Sequence, residues 1–204
     1  MRGARFPRMR NVFVLCALAI LATATPALSA GNALPDVQKP EALDPKAKLD
    51  GLFSELKRER NEKAAERISG RIFAAWSQSG SANIDLMMHW GQEAIDAKKY
   101  DVALDFLDQI VVIRPDFAEG WNRRATVHFL MNNFAKSMVD IEHTLELEPR
   151  HFGALAGMAR IMKDRGRKEL ALSAYERILT IYPMMRSAQS EVATISDELA
   201  GEGI

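Results

Sequence analysis

The fold is decided by the stretch from Ala118 to His151, which reads AEGWNRRATVHFLMNNFAKSMVDIEHTLELEPRH. Its apolar residues recur three and four positions apart, which is the spacing of an amphipathic helix rather than of a half-buried strand. The pattern returns 34 residues earlier and 34 residues later, and the three copies close on Pro115, Pro149 and Pro183. Because proline cannot continue a helix, each copy predicts two helices, of which the second ends just before the proline.

Several small, aromatic and proline positions are in register between the copies. The residues that define the repeat are Gly91, Tyr100, Ala103, Pro115, Trp121, Ala125, Phe134, Pro149, Ala171 and Pro183. This set resembles the tetratricopeptide repeat (TPR), whose pattern is Trp-x2-Leu-Gly-x2-Tyr followed by Ala, a large residue and Pro. The middle copy departs from that pattern, because Arg124 stands in the Leu place and His128 in the Tyr place. The resemblance covers 84–185, half of the chain, and extends to small exported bacterial TPR proteins.

The resemblance implies an all-α fold, a right-handed superhelical α-solenoid of antiparallel helix pairs A and B, preceded by a signal peptide. Its predicted segments are three repeats at 84–117, 118–151 and 152–185, a helical hairpin at 46–83, and a capping helix with a tail at 186–204. The hairpin lacks the closing proline and is interpreted as a degenerate repeat or N-terminal cap. Asp116 and Glu119, three residues apart, predict a capping box at the start of the second helix A.

The N-terminus has the layout of a secretory signal. Residues 1–29 contain four arginines and no acidic residue, and an apolar run of 11 residues at 12–22 precedes the small residues Ala27 and Ser29. A membrane-spanning helix needs ~20 residues, so this run predicts a signal removed on export to the periplasm, followed by a Pro-rich arm at 30–45. Cys16, the only cysteine, lies inside the run, which leaves the mature chain without disulfides.

Neither the composition nor the motifs of this chain predict nucleic-acid binding, catalysis or a cofactor. Without residues 1–29 there remain 23 basic and 27 acidic residues, which gives no basic surface for nucleic acid. No phosphate loop, nucleophile motif or spaced histidine pair is present, so neither an enzyme nor a cofactor is predicted. Met158 and Met162, one turn apart, would be the best candidates for a copper(I) carrier, but methionine at such positions is more often a packing residue.

The remaining prediction is that a protein or peptide binds in the concave groove, which in this family is lined by helices A. The residues expected there are Met88, Gln92, Ile95, Asn122, Thr126, Phe129, Leu130, Arg160 and Lys163. A competing interpretation is that the apolar members contact the hairpin at 46–83 or the arm at 31–45, and both stay open at this stage.

Family members that clamp a terminal carboxylate use Lys, Asn and Arg at five groove places. Those places here hold Met88, Gln92, Arg123, Gly153 and Gly157. The clamp is therefore not expected. An alternative to a free periplasmic module is a membrane-tethered scaffold that keeps its N-terminal helix. The identity of the partner and the oligomeric state are left open by the sequence.

Overall fold

The computed structural model describes residues 44–202, and within this range the chain folds into nine α-helices without a strand. They are α1 (Pro45–Arg58), α2 (Glu62–Trp76), α3 (Ala82–Asp96), α4 (Tyr100–Ile113), α5 (Ala118–Leu130), α6 (Phe134–Leu147), α7 (Phe152–Asp164), α8 (Lys168–Ile181) and α9 (Arg186–Glu202). No helix in this range is both long and apolar enough to span a membrane. The predicted signal at 1–29 and most of the arm at 30–45 lie outside the described residues.

The helix pairs α3–α4, α5–α6 and α7–α8 follow the period read from the sequence. Their second helices begin at Tyr100, Phe134 and Lys168, and each ends two residues before the proline of its copy. The turns between helices A and B also repeat, because the backbone is left-handed at Lys98 (φ 56°), Asn132 (φ 59°) and Gly166 (φ 70°). A left-handed residue at the end of a helix lets the chain reverse direction, so one turn geometry is used three times.

Small buried residues hold helices A and B close together. A Cβ at Gly91 would lie 3.7 Å from Leu107 Cγ of the partner helix. Ser137, which is 1% exposed, donates a hydrogen bond from Oγ to the Ala125 carbonyl oxygen at 2.8 Å. Larger side chains at these places would push the helices apart, because protein cores are close-packed.

The last repeat is covered by α9. Ala188 and Ile195 are fully buried in one cluster with Ala174 and Ile178 of α8, and Val192 and Leu199 pack against it. The face of α9 turned away from the repeats exposes Ser190, Thr194 and Asp197. This polar outer face is what the end of a helical repeat array needs in water.

The hairpin α1–α2 does not stack in front of the first repeat, which is where a degenerate repeat or N-terminal cap would lie. Its buried residues belong to the same apolar cluster as Phe152, Leu155 and Tyr182 of the third repeat. Glu62, at the start of α2, accepts from Arg186 at 3.0 Å, whereas Ser79, beyond its end, accepts from Arg114 through its carbonyl oxygen at 3.0 Å.

α2 therefore runs across the turns that follow the three helices B. It contacts the first residue of α9 near its start and the first copy just past its end. Its 15 residues have a length of ~22 Å at ~1.5 Å per residue, enough to bridge neighbouring repeats. The hairpin acts as a brace along one edge of the repeat array.

Candidate functional site

A cavity of about 190 Å³ lies between α5 and α7, the second and third helices A. Four of the predicted groove residues line it: Asn122, Thr126, Phe129 and Arg160. The remaining lining residues are Ala125, Ser137, Ile141, Gly153, Ala154 and Gly157. The sequence phase thus brings part of the predicted groove together at one place.

The cavity exists because α7 presents two glycines one turn apart. A Cβ at Gly157 would lie 3.3 Å from Ile141 Cδ1, closer than an ordinary contact, so a side chain there would fill the space. Small Ala125 and Ser137 form part of the wall. A dry cavity of ~150 Å³ accommodates a benzene-sized group, whereas small-molecule sites run from ~300 Å³ upward. The size therefore suits a single large apolar side chain rather than a cofactor.

Polar groups stand beside this apolar space. Asn122 donates from Nδ2 to Glu119 Oε2 at 3.0 Å, which fixes its amide in the wall. The exposed Arg160 pairs with Asp164 of the same helix at 3.2 Å. Surface pairs of this kind contribute little to stability, so the Arg160 guanidinium is free to exchange Asp164 for an anionic group of a ligand.

The other predicted groove residues lie elsewhere. Met88 is 6% exposed and packs in the core of the first repeat, so it cannot line an open groove as expected. Ile95 packs against the same core, and Lys163 is held by Glu191 of α9. Gln92 accepts a hydrogen bond from Arg123, and Leu130 is 42% exposed outside the cavity lining. The accessible groove is therefore shorter than predicted and centred on the second and third repeats.

The brace forms one margin of this groove. Phe73 of α2 meets Phe152 edge-on with ring centroids 5.0 Å apart, and its ring lies 3.5 Å from where a Gly153 Cβ would stand. Gly153 also lines the cavity. The hairpin contacts the groove at Gly153, whereas Met88, Ile95 and Phe129, to which the competing interpretation applied, pack in clusters that contain no residue of the hairpin.

A buried polar chain lies next to the cavity. Glu119 is 3% exposed and accepts hydrogen bonds from Arg123 Nε at 2.7 Å and from His151 Nε2 at 3.1 Å. Burial alone would raise the pKa of Glu119, but the hydrogen bond from His151 and the neighbouring Arg123 guanidinium lower that pKa below its usual value. The predicted capping box is absent, because Asp116 pairs with Arg114 and Phe117 occupies the N-cap of α5.

Ion pairs between side chains also join the brace to the repeats. Arg150 donates to Asp50 of α1 at 2.7 Å and to Glu148 at 2.9 Å, and its guanidinium lies 4.1 Å above the Phe53 ring. Burial opposes the ionisation of Glu148, but the Arg150 guanidinium outweighs it and lowers the Glu148 pKa. Asp50 and Arg150 are 100 positions apart in sequence, a separation that no local pattern predicts.

In the middle repeat an ion pair replaces an aromatic pair. Arg124 holds Asp140, which is 1% exposed, through two hydrogen bonds of 2.9 and 2.7 Å, and Asp140 raises the Arg124 pKa. One repeat earlier, the equivalent places hold Trp90 and Phe106, whose ring centroids are 5.6 Å apart. The unusual Arg124 of the sequence pattern is thus matched by an unusual partner on helix B.

A TPR repeat-containing protein of Rhizobium etli is 51% identical to this chain over 164 residues, which are 80% of this chain and 80% of that protein. The chain belongs to the tetratricopeptide repeat family. The small glutamine-rich tetratricopeptide repeat-containing protein 2 of Saccharomyces cerevisiae matches 48% of this TPR chain at 26% identity, over 28% of its own length. No family model matches the chain.

Solved structures share the TPR fold. The first TPR of Spaghetti (RPAP3), bound to the HSP90 peptide SRMEEVD, superposes with a TM-score of 0.55 at 24% identity and covers 57% of this chain and 93% of its own. MamA superposes with a TM-score of 0.53 at 14% identity and covers 75% of this chain and 81% of its own. At these identities the likeness establishes the fold.

Sequence reasoning assigned no groove role to Phe73, Trp76 or His151. Both aromatic residues lie on an amphipathic stripe of α2, and the surface that this stripe meets belongs to the third repeat, far along the chain. Glu119 stands at a place of the repeat that lines the groove in this family, but here it is 3% exposed and does not face an open groove. Its burial depends on His151, 32 residues away.

Proposed function

We propose that this TPR protein is a non-catalytic interaction module that holds a peptide segment of a partner protein in the groove between α5 and α7. The cavity of about 190 Å³ carries this proposal, because it combines an apolar interior with Asn122 and Arg160 at its wall. Burying one apolar side chain of a ligand there would contribute ~1.5–3 kcal/mol of binding free energy.

The residues of the cavity have distinct roles in the proposed complex. Phe129 and Ile141 contact the inserted side chain, whereas Asn122 pairs with a peptide group of the ligand backbone. Arg160 leaves Asp164 for an acidic group next to the inserted residue, because a guanidinium pairs well with carboxylates. The solved RPAP3 domain with its HSP90 peptide supports the use of such a fold for short peptides.

The groove is tested with a displayed library of random linear peptides selected against the purified protein. Peptides that bind wild type should lose affinity for Gly157→Leu, which fills the cavity, and for Asn122→Ala, Phe129→Ala and Arg160→Glu. Val139→Ser, at a half-exposed place on α6, is the matched control and should bind normally. Circular dichroism of every variant confirms helicity. Selected peptides that bind all four groove variants as well as wild type would disprove the groove assignment.

We also propose that the chain is exported to the periplasm with residues 1–29 acting as a removed signal. The four arginines, the short apolar run and the small residues after it support this proposal. N-terminal sequencing of the protein recovered from the exporting cell should begin at Ala30 or Gly31. A start at residue 1 in the membrane fraction would favour the second candidate, a tethered scaffold with a retained helix.

A further inference from the structure

An apolar surface covers one side of the first repeat, and we call it the first-repeat end face. It consists of Leu86 and Trp90 of α3, Ala97 directly after α3, and Val102, Phe106 and Ile113 of α4. Leu86, Trp90, Val102 and Ile113 are 45%, 41%, 43% and 58% exposed. Trp90 and Phe106 are in ring contact, and a depression of about 550 Å³ lies around them. Exposed apolar patches of this kind mark interaction sites.

The repeat register shows what this face is shaped to meet. Gly120 and Arg124 stand 34 places after Leu86 and Trp90. A Cβ at Gly120 would lie 2.9 Å from Ile110 Cγ2, and Arg124 donates to Asp108 at 2.9 Å. Ile110 and Asp108 both belong to α4, the helix B that precedes α5. Leu86 and Trp90 therefore point to where a preceding helix B would pack on α3.

Among residues 44–202 no helix fills that position. The helix that precedes α3 is α2, whose buried Ile68, Ile72 and Trp76 belong to the cluster of the third repeat. The core of the first repeat is a separate cluster without any α2 residue. One end of the array is thus closed by α9 and its polar outer face, and the other end presents tryptophan and aliphatic side chains to solvent.

Charge identifies the chemistry of the missing element. The span 82–113 contains six Asp or Glu and two Lys, a net charge of −4, whereas 152–181 contains three Asp or Glu and six Lys or Arg, a net charge of +3. Acids outnumber bases at the face itself, because Glu93 and Lys99 line the depression and the exposed Asp101 and Asp105 flank Val102. A second copy is a poor match: its own end face has the same charge, and α9, with one Arg and four acids, has −3.

We propose that the first-repeat end face binds a basic amphipathic helix of a partner protein, which takes the place of the missing helix B and extends the repeat array. The apolar stripe of this helix packs on Trp90, Leu86 and Val102, as helices dock into grooves through residues one turn apart. Lysine or arginine residues beside the stripe meet Glu93, Asp101 and Asp105. This surface is separate from the groove between α5 and α7 and does not depend on it.

The probe is a dye-labelled synthetic peptide of 14 residues, the length of α4, with leucines in one helical stripe and lysines elsewhere. A matched peptide carries glutamates in place of the lysines. Fluorescence anisotropy should show binding of the lysine peptide, weakened by added salt, and no binding of the glutamate peptide. Trp90→Ser and Asp101→Lys/Asp105→Lys should each weaken binding by about tenfold or more. Val139→Ser, at a 52% exposed place on α6, and the groove variant Gly157→Leu should bind as wild type does.

Four results would overturn the proposal. The first is binding of the lysine peptide that Trp90→Ser leaves unchanged, and the second is equal binding of the glutamate peptide. The third is absence of lysine-peptide binding together with a dimer in sedimentation that Trp90→Ser dissociates, which would assign the face to a second copy of the chain. The fourth is loss of lysine-peptide binding in Gly157→Leu alone. It would show that the peptide binds in the groove and not on the end face.

Discussion

The Trp76 indole lies flat on the His151 imidazole, with ring centroids 4.0 Å apart and an interplanar angle of 13°. His151 Nδ1 accepts a hydrogen bond from the Ala154 amide at 3.1 Å, so the network places the ring proton of neutral His151 on Nε2. That nitrogen faces Glu119 Oε2 at 3.1 Å. One imidazole therefore caps α7, supports α2 and donates a hydrogen bond to a buried carboxylate.

Trp76→Ala should destabilise the protein by ~3–5 kcal/mol, as the loss of a buried Trp side chain generally does. Trp76 is 8% exposed and contacts His151, Phe152 and Phe53, so its removal leaves a void beneath the brace. Urea unfolding followed by circular dichroism measures the loss. The control is Trp90→Ala at a 41% exposed place, which should cost much less. Equal losses for the two variants would contradict the role assigned to the brace.

Acid should weaken the fold through Glu119. Its pKa in the folded protein is lowered from 4.5, so its ionised form stabilises the fold at pH above 4.5, and this contribution is lost as the pH falls below 4.5 through the folded value. Glu119→Gln keeps an acceptor for His151 but removes the charge. The difference in unfolding free energy between wild type and Glu119→Gln should therefore shrink on acidification from pH ~7 to below ~4. A difference that stays constant over that range would contradict the lowered pKa.

The repeats were predictable from the sequence because their pattern is local and periodic, whereas the position of the brace was not. The prolines set the phase of the repeats, and the helices B begin at the same place in each copy because short-range rules decide where a helix stops and turns. The stripe of Ile68, Ile72 and Trp76 shows that α2 buries one face, but the same stripe would suit any apolar surface. The surface that the hairpin meets depends on the ion pairs Asp50–Arg150 and Glu62–Arg186. Their members are 100 and 124 positions apart in sequence.

The candidate site was predictable to a similar degree. Asn122, Thr126, Phe129 and Arg160 were placed together by the family's groove positions, and they line one cavity. The size of that cavity depends on Gly153 and Gly157, which the sequence showed only as places where clamp residues are missing. Local rules misassigned Glu119, because a capping box is predicted from a spacing of three residues alone. The burial of its carboxylate depends instead on His151, at the far end of the same copy.

Breaking the ion pair of the middle repeat should be costly, and replacing it should be tolerated. Asp140→Ala leaves the half-buried Arg124 without its main partner, and loss of one member of a buried pair costs ~3–5 kcal/mol. The double change Arg124→Trp/Asp140→Phe installs the pair that the first repeat uses at Trp90 and Phe106. We expect the double variant to recover most of the stability lost in Asp140→Ala, measured by urea unfolding. A double variant less stable than Asp140→Ala would show that the middle repeat requires the charges.

The three A–B turns allow backbone strain to be measured at equivalent positions. Lys98 has φ 56° where Gly166 has φ 70°, and a left-handed conformation costs a residue with a side chain ~1–2 kcal/mol relative to glycine. Lys98→Gly should therefore stabilise the protein by ~1 kcal/mol, and Gly166→Ala should destabilise it by a similar amount. Lys99→Gly is the control, because Lys99 has an ordinary φ of −90° and glycine there only adds freedom to the unfolded chain. Thermal unfolding of the three variants should rank Lys98→Gly above wild type and both other variants below it. A Lys98→Gly protein less stable than Lys99→Gly would show that the contribution of the Lys98 side chain to stability outweighs the strain of its backbone.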